Sequence, residues 1–344
     1  MNQDCRLLTG LLPSLLWFGV LASPLPAAEL HAARVMPMRA SEGSAAPAVV
    51  TAVSLSPDGL SFATGGDDHA VRIWNLSDGA LVRELRTHSD WVRAVVYNPQ
   101  GQILASAGDD HRILYWDAAT GKLRHAVPDR TQVIYCLAYS HDGKVLAATG
   151  FDDKVRLYDG FSGDPLRELT CPCPDIRAVA FSPDGKLLAA AGRDGRVRIW
   201  DYETGAVLHD INAHRQRVRA LGFSVDGTQL ASGGEDRFLR AWNPLTGAEL
   251  CAIPSRPGKI QALVYLAPGK IATGASDNTI RIWDLASKKE EARLTGHTGS
   301  VSALDYQPQA GVLISAGFDT SVRLWNPLAN DGKVVEENRT RTTR

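Results

Sequence analysis

An aromatic residue followed by Asp or Asn recurs along the chain with a nearly fixed period. The pairs are Trp74-Asn75, Trp116-Asp117, Tyr158-Asp159, Trp200-Asp201, Trp242-Asn243, Trp283-Asp284 and Trp325-Asn326, separated by 42, 42, 42, 42, 41 and 42 residues. A period of this size holds four short strands and their turns, and stacked repeats of that kind bury a continuous core that no single unit could bury alone. The chain is therefore constrained to a repeat architecture, and the seven units account for most of its 344 residues.

Strand signals within the units agree with this. In the fourth, residues 176–181, 186–191 and 196–200 are apolar, strand-forming runs divided by turn residues, and a fourth, outer strand follows near Val207 and Leu208. The turn Ser182-Pro183-Asp184-Gly185 joins the first two runs, with Pro presetting φ and Gly free to enter the left-handed region. Ser56-Pro57-Asp58-Gly59 repeats it in the first unit, and Ser140-His141-Asp142-Gly143 and Ser224-Val225-Asp226-Gly227, in the third and fifth units, keep the Asp-Gly step. The expected fold is all-β: a seven-bladed propeller with four antiparallel strands per blade.

These residues resemble the WD-repeat family, and the resemblance covers roughly residues 46–326. It implies a four-residue network in each ideal blade: a His before the first strand, a Ser or Thr on the second, an Asp in the next turn and the Trp of the third. Such a set satisfies its own buried polar groups. The Asp stands six residues before the aromatic in every unit, as Asp68, Asp110, Asp152, Asp194, Asp236, Asp277 and Asp319. Blades 2, 5 and 7 carry the full set: His88, Ser106, Asp110, Trp116; His214, Ser232, Asp236, Trp242; and His297, Ser315, Asp319, Trp325. Blades 3 and 4 lack both His and hydroxyl, with Arg130 and Pro172, Ala148 and Ala190 in their places. Blades 1 and 6 keep Thr64 and Thr273 but have Ala46 and Arg256 where His would stand, which leaves their networks open.

Residues 7–21 form an apolar run after Arg6, followed by the small residues Ala22, Ser23, Ala27 and Ala28. The run is short and broken by Pro13, so residues 1–28 read as a signal peptide rather than a span, with cleavage after Ala22 or Ala28. A secreted or periplasmic protein is expected, with no membrane span in the mature chain. Residues 29–45 then lead into a propeller over 46–330 and a polar tail over 331–344. Two segments compete to supply the outer strand of the last blade, residues 34–39 and 333–336. The first is favoured because the resemblance implies that the chain begins with this strand.

A formal net charge of −1 argues against nucleic acid as partner, which needs a clear basic excess. The His-Asp-Ser trio invites a hydrolase reading, but a catalytic triad occurs once per enzyme, whereas this set recurs in register with a Trp attached. No G-x-S-x-G elbow occurs. Asp67-Asp68-His69 and Asp109-Asp110-His111 sit at matching turns, yet one Asp of each belongs to the internal network, so no metal or other cofactor is assigned. Cys171-Pro172-Cys173 reads as two thiols in a turn and Cys136 as core packing.

Recognition is expected on the loops that vary around one face of a rigid ring. Blades 1 and 2 offer acidic residues there, and blades 4 to 6 offer basic ones. The candidate partner-binding residues are Trp91, Phe151, Asp175, Arg193, Arg215, Arg217, Glu235, Lys259 and Phe318, because aromatics beside Arg make binding hot spots. The expected function is a non-enzymatic scaffold for a protein or peptide partner. The alternatives are a propeller enzyme, such as a metal-dependent lactonase or hydrolase, and a structural subunit of an envelope complex.

Overall fold

The computed structural model describes residues 28–32, 34–37, 47–127 and 132–328. Every regular element in them is a strand, and among the described residues no helix is long and apolar enough to cross a membrane. The strands form seven separate sheets, which are the seven blades; five are four antiparallel strands that follow one another in sequence, and the last two each add a strand from the N-terminal segment. Residues 1–27, the tail from 329 onward, and the network positions Ala46 and Arg130 lie outside the described residues.

Burial follows strand position. The second strand of each blade is buried along almost its whole length, as in Ile103–Gly108, Val145–Gly150 and Leu187–Gly192. Both of its faces pack on neighbouring blades, which is why it reads as a continuous apolar run rather than an alternating one. Outer strands such as Leu81–Leu85 and Pro165–Thr170 are largely exposed. The cores lie between blades, and one cluster joins Val53, Phe62 and Trp74 of blade 1 to Ile314 and Val322 of blade 7. The Ser-Pro-Asp-Gly turn forms as its sequence dictates: Ser182 donates to Asp184 at 2.6 Å and Gly185 adopts a φ of 71°.

Two short strands precede the ring. The first, β1 (Ala28–His31), runs parallel to the outer strand Lys289–Thr295 and gives blade 6 a fifth strand. The second, β2 (Arg34–Pro37), pairs antiparallel with Ser321–Trp325 as the fourth strand of blade 7. Met36 is buried in the cluster shared by blades 7 and 1, Leu30 packs on the core behind blade 6, and Arg34 donates to the carbonyl of Ser77 in blade 1. This segment therefore joins three blades from outside. The competing segment, residues 333–336, lies outside the described residues.

On the channel side, the same seam is held by side chains of blade 7 reaching backbone groups of blade 1. Ser302 donates to the Val50 carbonyl at 2.7 Å, Asp305 accepts from the Leu55 amide at 2.7 Å, and Gln307 donates to the Pro57 carbonyl at 2.7 Å.

Removing residues 28–37 should lower the unfolding midpoint by roughly 5–10 °C, since it exposes the edges of blades 6 and 7 and opens a buried site at Met36. Removing residues 331–344 should leave the midpoint unchanged. Equal midpoints for the two truncations, read by thermal denaturation, would contradict the role given to β1 and β2.

Candidate functional site

The second strand ends in glycine in most blades because the loop ahead of the inner strand presses on it. A Cβ at Gly108 would lie 1.9 Å from the Trp91 carbonyl oxygen, one at Gly150 1.9 Å from that of Val133, and one at Gly192 2.2 Å from that of Asp175. These close approaches carry the loops inward to the mouth of the central channel. Inner strands begin at this mouth, so the second residue of each faces into it. That column reads Thr51, Arg93, Tyr135, Arg177, Arg219, Gln261 and Ser302, and with Phe318 it lines a mouth of 170 Å³ that opens into a channel of 320 Å³.

Three arginines thus share one ring with no carboxylate in it. Their counter-charges come from the loops above. Arg93 pairs with Asp109 at 2.5 Å, and its guanidinium lies 4.4 Å from the centre of the Trp91 ring. The hydrogen bond to Asp109 raises the Arg93 pKa further. Arg177 contacts Asp175 and stacks over Tyr135 at 3.4 Å, while Arg93 lies 5.9 Å from the same ring. Arg219 pairs with Glu235 at 2.7 Å. Burial pushes the Glu235 carboxyl up, but hydrogen bonds and charge from Arg219 and Arg217 outweigh it and hold the pKa below the usual range.

The residues singled out on the loops fall into two groups. Phe151 and Phe318 are each 49% exposed, and Arg193 and Arg215 are exposed as well. Trp91, Arg217, Glu235 and Lys259 are half-buried and tied into ion pairs or ring contacts. Asp175 differs from an open rim residue: it is 1% exposed, adopts a left-handed φ of 81°, and is held by Arg177 and by Arg217 at 3.0 Å. It acts on the rim through those two arginines. Sequence reasoning on loops missed Arg93, Tyr135, Arg177 and Arg219 because they lie on strands. Reading the second strand position down the 42-residue period would have aligned them.

The turn residues considered for metal have a simpler role. His69 and His111 adopt φ of 66° and 64°, at the turn position filled by Gly195, Arg237, Asn278 and Thr320 in other blades, all with positive φ. Asp67 accepts from the Val49 amide at 2.9 Å, and Asp109 is paired with Arg93. No group of three or more His, Cys, Asp or Glu able to hold a metal ion occurs among the described residues. Cys171 accepts from Arg198 at 3.4 Å and Cys173 from the Asp194 amide at 3.4 Å. Burial pushes the Cys171 thiol up to about 12 and raises that of Cys173, so both stay protonated. Cys136 is half-buried against the core between blades 3 and 4.

Behind the mouth, the three complete networks form. In blade 5, Trp242 donates to Ser232 at 2.9 Å, Ser232 and His214 share a 2.8 Å bond, and His214 Nδ1 donates to Asp236 at 2.9 Å. Blades 2 and 7 repeat it: His88 and His297 reach their Asp at 2.7 and 2.8 Å. Burial pushes the Asp236 carboxyl up, yet hydrogen bonds and charge from His214 and Arg240 outweigh it and hold it at about 2.

Blades without His solve the same problem differently. An arginine four residues after the Asp takes the carboxylate, at 2.5 Å for Arg72–Asp68, Arg156–Asp152 and Arg281–Asp277 and 2.8 Å for Arg198–Asp194. Trp74 and Trp283 still donate to Thr64 and Thr273, at 2.9 and 2.8 Å.

Comparison with known proteins agrees with this geometry. The family described as WD domain, G-beta repeat matches at residues 38–75, 79–117, 121–159, 163–201, 205–243, 255–284 and 288–326. The chain belongs to the WD-repeat family, with one match for each blade. None of the curated proteins matches the chain.

Trp242→Ala should cost about 3 to 5 kcal/mol, because it removes a buried ring and leaves Ser232 and His214 without the end of their chain, whereas Tyr158→Phe should cost far less. Denaturant unfolding of the two variants measures the difference. Comparable small losses would mean that the networks do not carry the blades.

Asp305 supplies a pH-dependent test. Burial in the channel wall raises its carboxyl to about 6, against the lowering effect of the Leu55 and Tyr306 amides and of Ser54. The folded state then holds a proton that the unfolded chain releases near its ordinary value, so this contribution is present in acid and is lost as pH rises from about 4 through 6. Asp305→Asn should gain about 3 kcal/mol over the parent at pH 8 and little at pH 4. A constant difference across that range would refute the assignment.

Proposed function

We propose that the protein is a non-catalytic interaction scaffold that binds a protein or peptide partner on the mouth face of its ring, outside the cytoplasm. The observation that carries this reading is the exposure of Phe151 and Phe318, each 49%, on the same rim as the arginines of the mouth. Large exposed aromatics beside guanidinium groups supply the apolar anchor and the directional hydrogen bonds that binding hot spots use. The backbone beneath them is fixed by the sheet ladders and by the glycine contacts, so little order has to be gained on binding. Ion pairs already hold Arg93, Arg217 and Arg219 in place. Placement outside the cytoplasm rests on the apolar run over residues 7–21 and the small residues after it.

Affinity capture from the fraction of exported proteins, with the parent and with the double variant Phe151→Ala/Phe318→Ala, tests the proposal. The parent should retain a specific partner that the double variant loses at an unchanged unfolding midpoint. N-terminal sequencing of the recovered protein should begin after Ala22 or Ala28. Equal capture by both proteins would overturn the rim assignment, and a recovered chain beginning at Met1 would overturn the export assignment.

A further inference from the structure

The charges at the channel mouth do not balance. Arg93, Arg177, Arg217, Arg219 and Lys259 meet there, and the carboxylates that pair with them are Asp109, Asp175 and Glu235. The sharing is visible in the geometry: Glu235 serves Arg217 at 3.2 Å, Arg219 at 2.7 Å and Lys259 at 3.9 Å, while Asp175 serves both Arg177 and Arg217. Within this paired set the cations outnumber the carboxylates by five to three, with Arg93, Arg177 and Arg219 lining a concave, protein-walled opening where field lines are focused and an anion is concentrated.

The arginines are also prepared to receive one. Tyr135 stands between two of them, with Arg177 stacked at 3.4 Å and Arg93 at 5.9 Å from its ring centre, so the aromatic face holds both cations near each other without a carboxylate between them. A guanidinium carries five N–H donors, and pairing with one carboxylate leaves others for a second acceptor. Arg93, Arg177 and Arg219 all line the mouth, and Phe318 stands beside them as an apolar wall.

We propose that the channel mouth binds a carboxylate side chain of the protein partner, inserted among Arg93, Arg177 and Arg219. This rests on the rim-binding reading and adds the chemistry of the residue that enters. A polypeptide fits better than a free small carboxylate because the mouth, at 170 Å³, opens directly onto the rim with its two exposed phenylalanines, where the flanking residues would lie.

Fluorescein-labelled hexaglutamate and hexaglutamine peptides provide the probe, with binding read by anisotropy at low salt. Hexaglutamate should bind at least tenfold more tightly, and raising the salt should weaken it. The variant Arg93→Gln/Arg219→Gln, which leaves the buried Asp175 with both of its arginines, should bind hexaglutamate at least tenfold more weakly with an unchanged unfolding midpoint. Arg93→Lys/Arg219→Lys should recover part of the loss, since it restores charge without the forked donors. Succinate in hundredfold excess over the peptide should not displace it.

Equal affinity for the two peptides, parent-like binding by the glutamine variant, or displacement by equimolar succinate would each overturn the proposal. Capture of the partner separates this failure from that of the rim reading. Loss with Phe151→Ala/Phe318→Ala and retention with Arg93→Gln/Arg219→Gln would leave the rim and remove the acidic anchor. Loss with both would support the two together, and retention with both would overturn them together.

Discussion

The carboxylate in the turn between the second and third strands is the group around which each blade is built. It sits at the edge of a core where an uncompensated charge would cost several kcal/mol, so each blade must bring it a donor. Blades 2, 5 and 7 bring a histidine, which hands the polarity on through a serine to the indole N–H. Blades 1, 3, 4 and 6 bring an arginine from the neighbouring strand. Blade 5 uses both, with Arg240 also 3.0 Å from Asp236. The two solutions occupy different chain positions, so a blade can lose its histidine without leaving the carboxylate bare.

The repeat made the blades legible from the sequence, because a period of 42 residues with a fixed aromatic leaves few other ways to bury seven identical units. The complete networks were legible for the same reason: His, Ser, Asp and Trp keep their spacing. What replaced them was not. Arg72, Arg156, Arg198 and Arg281 look like solvent-facing residues of alternating strands, and only the fold shows their guanidinium groups turned back to the preceding turn. The rim was legible in part. Phe151 and Phe318 are exposed as loop residues should be, whereas Asp175 is drawn under two arginines that come from different blades. A contact between blades has no signature within a single repeat.

The channel mouth shows what a ring of near-identical units leaves free to vary. Packing between blades fixes the residues of the second and third strands, but the second position of each inner strand faces the channel and the loops at its mouth rather than the core between blades. Small polar, aromatic, amide and guanidinium side chains all occur there. Symmetry of the backbone therefore coexists with a strongly asymmetric charge distribution, and that asymmetry gives the mouth a direction: blades 2, 4 and 5 supply the arginines, and blades 7 and 1 supply hydroxyls. A ligand would be oriented by the ring as well as held by it.

The pairing of β2 with Ser321–Trp325 also sets the order in which the molecule can be assembled. Ladders within a blade link neighbours in sequence and close small loops, while this ladder links the two ends of the chain. Strand β2 is translated ahead of every blade and finds its partner only when the last blade exists. Until then the first and last blades present open flanks, and the N-terminal segment, still unpaired, can be handled by whatever machinery engages a nascent chain. Completion of the ring and capture of β2 are consequently one late event.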